Sequence, residues 1–451
     1  MKFKNALNIN CGIKYMFDTL NIKSSLARKV LLESKILKSK QEIDFYYSRV
    51  NELFNKNYKA LEGELCCVKD ISSTVKKLNG EEILTDIELF EIKNLAIICE
   101  KVSGIIKELK IKKIGIPAMV EILDILDPDK NRVSSFYVYD SYSKELKDVR
   151  DRIKKLIGVD GVVAGENNEE YMDLMGENER IEIQVREILS GKLREKREEL
   201  EIGLRNLALL DILTAKIDQI KEMGLCLPVV VDEGETFYCE MFNPFVLDCL
   251  RKDGKEFQKV DISFRKEPIT IIGANMGGKS VVLKTLALNQ LLVQFGFGVA
   301  AKSCCVCVVD DVLLCSDAEQ SVKKGISSFG AEILAINEVI KKAKNGENIL
   351  ALIDEPARTT NPIEGCALVE GLIDVVKDLK GKYIITTHYN IDNEGIKRYR
   401  VKGLVNGEMD YSLLEVYTGE IPHEAINIAL NLDIDNQWIN NAKIRLKKNN
   451  N

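Results

Sequence analysis

The sequence predicts an α-helical N-terminal region over residues 1–224, an α/β domain with a mainly parallel sheet over residues 225–420, and a short helical segment over residues 421–451. Three observations predict this fold. Apolar residues recur with helical spacing through the first half of the chain. In the second half, short apolar segments alternate with helical patterns, which is typical of a parallel sheet covered by helices. Finally, a glycine-rich turn joins the apolar segment Ile269–Ile272 to the next helical pattern.

The composition is ordinary for a globular protein of about three domains, with 451 residues, 45% of them hydrophobic and 30% charged. The net charge of -6 and the pI of about 5.5 give the chain no overall basic footprint of the kind that dedicated nucleic-acid-binding proteins show. The N-terminus has no signal-peptide pattern, and no apolar run reaches the roughly 18 residues that a membrane-spanning helix needs. We therefore expect a cytoplasmic protein with no membrane partner.

The 12 cysteines are scattered through apolar segments, so we expect reduced, buried thiols rather than a disulfide framework. Cys304 and Cys307 form a C-x-x-C motif in a segment that alternates like a β-strand. Because no second cysteine pair and no histidine lie nearby in the sequence, this motif favours a buried strand over a metal site.

Two helices are predicted most clearly in the N-terminal region. From Ser143 to Leu156, apolar residues recur at three- and four-residue spacing between charged faces. A second apolar stripe predicts a helix of roughly 40 Å at 1.5 Å per residue. Between the two, Gly158–Asn178 is rich in Gly, Asn, Asp and Glu, so we expect a short acidic loop or a small insertion there. The stripe comprises Leu193, Leu200, Leu204, Leu207, Leu210, Leu213, Ile217 and Ile220.

From about residue 225 the pattern changes to short strands bounded by turn residues. The predicted strands are 228–234, 236–241, 260–264, 269–272, 306–309, 349–353, 383–386 and 411–417, and the predicted helices are 279–294, 331–345, 363–379, 424–430 and 436–446.

The turn from Gly273 to Ser280 has the pattern G-x-x-x-x-G-K-S, which predicts a phosphate-binding loop. Its glycines let successive backbone N–H groups point at an anion, and the helix that follows adds its positive end. Lys279 would neutralise the outer phosphates, and the Ser280 hydroxyl would ligate Mg²⁺. The residues predicted to bind ATP here are Gly273, Ala274, Asn275, Met276, Gly277, Gly278, Lys279, Ser280 and Val281.

Two further predicted strands end in residues that suit ATP hydrolysis. The buried strand 349–353 delivers Asp354 and Glu355, of which Asp354 would join Ser280 as an Mg²⁺ ligand and Glu355 would deprotonate the attacking water. His388 follows the strand 383–386, at the sheet edge where ligands of open α/β sheets bind. We expect His388 to sense the γ-phosphate or polarise the water, and His423 to be a surface or capping residue.

Four segments resemble the MutS family of ABC-type ATPases in their order and spacing. They are the phosphate loop 273–280, Ser327–Glu332 as the signature, Leu352–Thr360 as the acidic strand, and Thr386–Tyr389 as the histidine loop. The resemblance implies a dimer, of identical chains or with a second MutS-like subunit. In such a dimer, Ser327 of one subunit would contact the γ-phosphate bound by the other.

The chain also departs from the family pattern. Ala357 and Thr359 stand where the family usually has glycines, Ala274 replaces a proline, and Gly330 replaces a signature methionine. The family's mismatch-reading Phe-x-Glu does not occur, and the mismatch-recognition and connector domains have no room before the predicted core. The resemblance therefore predicts a short MutS-like form with a reduced clamp at Gly158–Asn178.

Three functions remain open, and all three include ATP binding. The first is an ATPase that remodels a protein, with an adenosylcobalamin-dependent aminomutase as the client that the resemblance to short MutS-like reactivases suggests. The second is a DNA-binding MutS homologue that acts in mismatch repair or on branched DNA. The third is a nucleotide-gated clamp with little turnover. The acidic charge, the missing Phe-x-Glu and the reduced clamp favour the first, whereas the family itself favours the second.

Overall fold

The structure is a computed structural model, and it describes residues 1–157, 168–273, 277–316, 328–389, 391, 396–405, 408–416, 437–438 and 441. Several predictions fall on other residues and lie outside this description. They concern Ala274, Asn275, Met276, Ser327, His423 and nearly all of the C-terminal segment 421–451. Within the described residues, every helix is too short or too polar to cross a membrane.

The chain divides into two compact units, and the division differs from the predicted boundary at residue 224. The sheet unit contains residues 1–20, 33–47 and 216–451, and the helical unit contains residues 21–32 and 48–215. Two N-terminal segments therefore belong with the sheets, although helical spacing had grouped them with the helices that follow.

Two helices of the helical unit begin at side-chain caps. The Thr85 hydroxyl accepts a hydrogen bond from the N–H of Glu88, and the Glu88 carboxylate accepts one from the N–H of Thr85. Ser143 caps another helix by accepting a bond from the N–H of Leu146. The helices of this part of the chain are α3 (Ser25–Glu33), α4 (Lys40–Phe54), α5 (Lys59–Leu65), α6 (Ser72–Lys77), α7 (Asp86–Glu108), α8 (Val120–Leu126), α9 (Lys144–Leu156), α10 (Asn168–Glu195) and α11 (Arg197–Met223).

The predicted apolar stripe is confirmed, but its helix is longer than expected and interrupted. All eight stripe residues are buried, and the helical run starts at Asn168 and breaks once, at Lys196, between α10 and α11. The expectation of an acidic loop over Gly158–Asn178 is therefore wrong for residues 168–178. Glu169 and Glu170 lie in the first turn of α10, where acidic side chains complement the positive end of a helix.

The sheet unit contains a six-stranded sheet in the order β10-β9-β4-β8-β7-β6. Each of its neighbouring pairs is parallel except β9 with β10, which is antiparallel. Strand β9 was not predicted because its basic residues leave no apolar run, and β6 was not predicted either. The strands are β4 (Ile269–Ile272), β6 (Asp311–Cys315), β7 (Ile349–Ile353), β8 (Gly381–Thr387), β9 (Lys397–Val405) and β10 (Glu408–Val416).

A second, four-stranded sheet has the order β1-β5-β2-β3 and is mixed, since β1 and β5 are parallel while β2 is antiparallel to both β5 and β3. The expectation of one mainly parallel sheet did not include it. Its strands are β1 (Val229–Val231), β2 (Thr236–Met241), β3 (Val260–Phe264) and β5 (Ser303–Cys307).

Helices cover the six-stranded sheet, and strand β7 shows how. Ile349, Ala351 and Ile353 share one cluster with apolar residues of α14 (Ser328–Lys344) and α15 (Pro362–Val376). The alternate residues Leu350 and Leu352 point to the other face, and α13 (Lys279–Gln294) contacts β7. Burial on both faces explains why β7 is an uninterrupted apolar run.

The N-terminal segment joins the sheet unit through aromatic packing. The Phe3 ring, which is fully buried, lies 4.9 Å from the Phe295 ring and 5.5 Å from the Phe297 ring between centroids. The Tyr47 hydroxyl donates a hydrogen bond of 2.6 Å to the backbone carbonyl of Phe297. These contacts lie at the C-terminal end of α13, which places α1 (Phe3–Ala6) and α2 (Ile13–Asp18) with this unit.

We expect Phe3→Ala to destabilise the protein by about 3–5 kcal/mol, because it leaves a cavity beside the rings of Phe295 and Phe297. Phe45→Ala is the matched control, since the Phe45 side chain is 55% exposed. Denaturant unfolding of both variants measures the difference. Equal midpoints for the two variants would contradict the assignment of the N-terminal segment to this core.

Candidate functional site

The carboxyl ends of three parallel strands lie at one edge of the six-stranded sheet. Ile272 at the end of β4 is paired in register with Thr387 near the end of β8, and Ile353 at the end of β7 is paired with Ile385. Since β8 lies between β4 and β7, the residues that follow all three strands come to the same edge. The register therefore brings together the phosphate loop, the two carboxylates and His388.

Two glycines shape the described part of the phosphate loop. Gly273 has a φ of 151°, and a Cβ there would lie 3.2 Å from Cβ of Val401 in β9. Gly278 has a φ of 77° and is the N-cap of α13, and a Cβ there would lie 3.0 Å from Cδ1 of Tyr411 in β10. Gly278 thus needs both the left-handed conformation and the absence of a side chain. Lys279, Ser280 and Val281 follow in the first turn of α13.

Lys279 connects the phosphate loop to the acidic strand. Its ammonium group lies 3.0 Å from Oε1 of Glu355 and donates a hydrogen bond of 2.8 Å to the carbonyl of Gly273. The two side chains are only 4% and 12% exposed, so little water screens the ion pair. The predicted phosphate ligand and the predicted general base therefore contact each other directly.

Thr386 orients the acidic pair, a role that the sequence analysis did not assign. Its hydroxyl donates a hydrogen bond of 2.7 Å to Oδ1 of Asp354 and accepts one of 2.9 Å from the backbone N–H of Glu355. The Asp354 backbone N–H in turn donates to the carbonyl of Cys315 in β6. No distinctive spacing in the sequence indicates this role for Thr386.

The loop after β7 contains two residues in the left-handed region, Glu355 with a φ of 44° and Ala357 with a φ of 61°. Residues other than glycine adopt this backbone conformation at a cost of roughly 1–2 kcal/mol. Contacts on both sides of Ala357 hold the loop in place. The Glu332 carboxylate accepts a bond of 2.7 Å from its N–H, and the Tyr389 hydroxyl donates one of 2.8 Å to its carbonyl. Sequence reasoning assigned no such role to Glu332 or Tyr389.

His388 lies directly after β8, beside the ion pair. Burial lowers the pKa of His388 below its ordinary value, and the Glu355 carboxylate opposes this shift while Lys279 and Arg358 add to it. A neutral imidazole is therefore favoured at pH 7. Its buried Nδ1 has no hydrogen-bond partner among the described residues. A water molecule or a ligand oxygen would satisfy this atom.

The oxygen donors suit Mg²⁺ bound together with a nucleotide. Ser280 offers a hydroxyl and Asp354 a carboxylate, and Mg²⁺ is usually held by one or two carboxylates together with phosphates and water. Within the described part of the chain, no group of three or more His, Cys, Asp or Glu residues could hold a metal alone. Cys304 and Cys307 lie on β5.

We expect Gly278→Ala to impair nucleotide binding and to destabilise the protein more than Gly254→Ala does. Both glycines are left-handed, with φ of 77° and 69°, but only at Gly278 would a methyl group press on the Tyr411 ring. Gly254→Ala should lower the free energy of unfolding by about 1 kcal/mol, from the backbone conformation alone. Fluorescent nucleotide titration and thermal unfolding measure both effects, and equal losses would contradict the tight packing at Gly278.

The part of the chain that forms this edge of the sheet is similar to known proteins. Residues 269–405 match the model of the family described as MutS domain V. The chain is 32% identical over 232 residues to "Endonuclease MutS2" of Ligilactobacillus salivarius, covering 51% of this chain and 28% of that protein. It is 31% identical over 185 residues to "Endonuclease MutS2" of Thermus thermophilus, covering 41% and 24%, and 28% identical over 249 residues to "Putative endonuclease MutS2" of Bacillus subtilis, covering 55% and 30%. The chain thus spans about a quarter to a third of the length of these relatives.

Proposed function

We propose, given the support of these matches for membership of the MutS family, that the chain binds MgATP at this sheet edge and hydrolyses it. The observation that carries the proposal is the buried contact between Lys279 and Glu355. It joins a phosphate loop to a carboxylate that can act as a general base. The composition of the loop, the oriented Asp354 and the neutral His388 add the remaining groups that phosphoryl transfer to water needs.

Nucleotide binding and activation of the base would be one event at this site. In the structure, Lys279 is paired with Glu355, and this pairing occupies Oε1 of the carboxylate. The phosphates of ATP carry more negative charge than one carboxylate, so the ammonium group would move to them and release Oε1 of Glu355. The other oxygen, Oε2, stays 3.7 Å from the Arg358 guanidinium. The released carboxylate could then accept a proton from the attacking water. This exchange would suppress proton abstraction in the absence of ATP.

The other residues would position the reactants. Backbone N–H groups of the phosphate loop and the positive end of α13 would bind the phosphates. Ser280 and Asp354 would hold Mg²⁺, which neutralises charge on the β- and γ-phosphate oxygens when it is bound. The neutral imidazole of His388 would orient the water or contact the γ-phosphate. The backbone of Glu355 would be held in place by Thr386.

A dimer would complete the site, as the family resemblance implies. The Ser327 of a second subunit, either identical or MutS-like, would contact the γ-phosphate. An isolated subunit would then bind ATP but hydrolyse it slowly. If the left-handed Ala357 slows turnover further, the protein would act as a nucleotide-gated clamp, which is the third function predicted from the sequence.

Lys279→Ala and Glu355→Gln should separate binding from hydrolysis. We expect Lys279→Ala to weaken ATP binding by a factor on the order of 100, since it removes a charge-assisted contact to the phosphates. Glu355→Gln should preserve ATP binding and lower the hydrolysis rate by a factor on the order of 100 or more. Nucleotide titration and phosphate release measure the two effects.

Glu338→Gln is the control for the loss of one carboxylate, because the Glu338 side chain is 64% exposed. Unchanged ATP affinity in Lys279→Ala would exclude the phosphate-loop assignment. Normal turnover in Glu355→Gln would mean that another group activates the water.

The comparisons favour a different partner from the one that the sequence favoured. Nothing in the matches supports an aminomutase client, whereas the relatives reported above are described as endonucleases. We therefore propose DNA as the partner to test first, ahead of a protein client. The net charge of -6 means that any DNA-binding surface has to be a local basic region rather than the whole molecule.

A fluorescent branched duplex tests the DNA proposal. We expect binding at low salt that weakens at least tenfold between about 50 and 200 mM salt, because bound lysines and arginines release counterions from the phosphates. Fluorescence anisotropy with and without ATP measures it, with linear duplex as the comparison. Absence of binding at low salt would favour a protein partner, and so would binding that does not depend on salt.

A further inference from the structure

Two cysteine side chains lie side by side in the sheet unit, away from the sheet edge described above. The Sγ atoms of Cys226 and Cys304 are 3.8 Å apart, and both cysteines are free thiols. Cys226 follows helix α11, and Cys304 lies on β5 of the four-stranded sheet. The proposed ATPase chemistry uses neither thiol.

The backbone fixes the positions of both cysteines. Cys226 forms a reciprocal bridge with Val299, in which its N–H donates a bond of 2.9 Å and its carbonyl accepts one of 2.8 Å. Cys304 is paired in register with Tyr238 of β2. Because two separate hydrogen-bonded elements hold the cysteines, the short distance between the sulfur atoms follows from the fold.

The chain around the pair is tightly packed. A Cβ at Gly298, next to Val299, would lie 2.4 Å from Cγ1 of Ile220 and 2.8 Å from Cβ of Leu225. The end of α11 and the segment after α13 therefore approach each other with no room for a side chain. This packing keeps Cys226 close to β5.

The two thiols differ in accessibility and acidity. Cys304 is only 3% exposed, whereas Cys226 is partly exposed. The hydrogen bond between the two thiols lowers the pKa of Cys226, and the same contact, together with burial, raises the pKa of Cys304. Cys226 is therefore the thiol that a dissolved oxidant would meet first, and the one more readily ionised.

We propose that Cys226 and Cys304 form a reversible disulfide, with Cys226 as the thiol that reacts with a peroxide and Cys304 as the thiol that resolves the product. For the bond to form, the sulfur atoms approach from 3.8 Å to the roughly 2.05 Å of a disulfide.

The chemistry balances with hydrogen peroxide as the oxidant. The Cys226 thiolate attacks one peroxide oxygen, the O–O bond breaks, and the departing hydroxide takes up a proton to become water, leaving a sulfenic acid on Cys226. The Cys304 sulfur then attacks Sγ of Cys226, the S–O bond breaks, and the thiol proton leaves with hydroxide as a second water. Two thiols and one peroxide thus give one disulfide and two waters. A dithiol reductant reverses the change by thiol exchange.

The disulfide would close a loop that contains β1, β2, α12 (Pro244–Lys252), β3, β4 and α13. This loop includes the phosphate loop, which lies between β4 and α13. Closing a loop of this length restricts the unfolded chain, so the oxidised protein should unfold at a higher temperature by roughly 5 °C.

Peptide mapping of the full chain tests the proposal. The protein is treated with hydrogen peroxide, alkylated, and digested with trypsin and a glutamate-specific protease, which releases Met223–Glu233 with Cys226 as its cysteine. We expect this peptide to be linked to the peptide that begins at Ser303, with the mass of the pair reduced by two hydrogens and fragmentation locating the bond at Cys304. The link and the rise in unfolding temperature should disappear after treatment with a dithiol.

Cys226→Ser and Cys304→Ala should abolish both signals, and Cys305→Ser should retain both because Cys305 is the neighbour of Cys304 on the same strand. The proposal would be overturned if the wild-type peptide carried only sulfinic acid at Cys226, or if Cys226 were linked to Cys305 instead. It would also be overturned if Cys226 remained reduced while the exposed Cys66 and Cys67 were oxidised. These results on the wild-type chain do not depend on whether the variants fold.

Discussion

The ion pair between Lys279 and Glu355 is the interaction on which the rest of the site depends. Each of these charges would be costly to bury alone, so each is retained because the other is within contact distance. The pairing is possible only because the strand register brings the end of β4 and the end of β7 to the same edge, with β8 between them. The two charged groups that the proposed chemistry would use thus satisfy each other within the folded chain.

Much of this fold could be predicted because burial on both faces leaves a clear signal in the sequence. Strand β7 is a run of five apolar residues, and α13 has the predicted bounds, 279–294. Strand β9 has no such signal, since its basic residues lie among the apolar ones, and its place beside β4 is set by hydrogen bonds between distant segments. For the same reason the second sheet, whose strands come from both sides of the phosphate loop, was not predicted as a sheet.

The candidate site, like the fold, could be predicted from the sequence only in part. Sequence motifs identified the residue types that suit the chemistry, namely Lys279, Asp354, Glu355 and His388. They could not identify the residues that hold those groups in position, such as Thr386, because a hydroxyl that orients a carboxylate has no distinctive spacing. The N-terminal segment is a further case, since helical spacing shows that a helix has an apolar face but not which core receives it. Aromatic contacts with Phe295 and Phe297 decided that question for Phe3.

The Tyr389 hydroxyl connects the loop after β7 to helix α15. It donates to the carbonyl of Ala357, and it also fills the space beside Gly365, where a Cβ would lie 2.3 Å from the hydroxyl oxygen. Because Cζ of Tyr389 would lie 2.5 Å from the same Cβ, position 365 in α15 can gain a side chain only if the whole Tyr389 ring moves or is replaced by a smaller side chain. Either change would disturb one support of the left-handed Ala357. A side chain introduced near the start of a covering helix would therefore reach, through one tyrosine, the loop that carries Glu355.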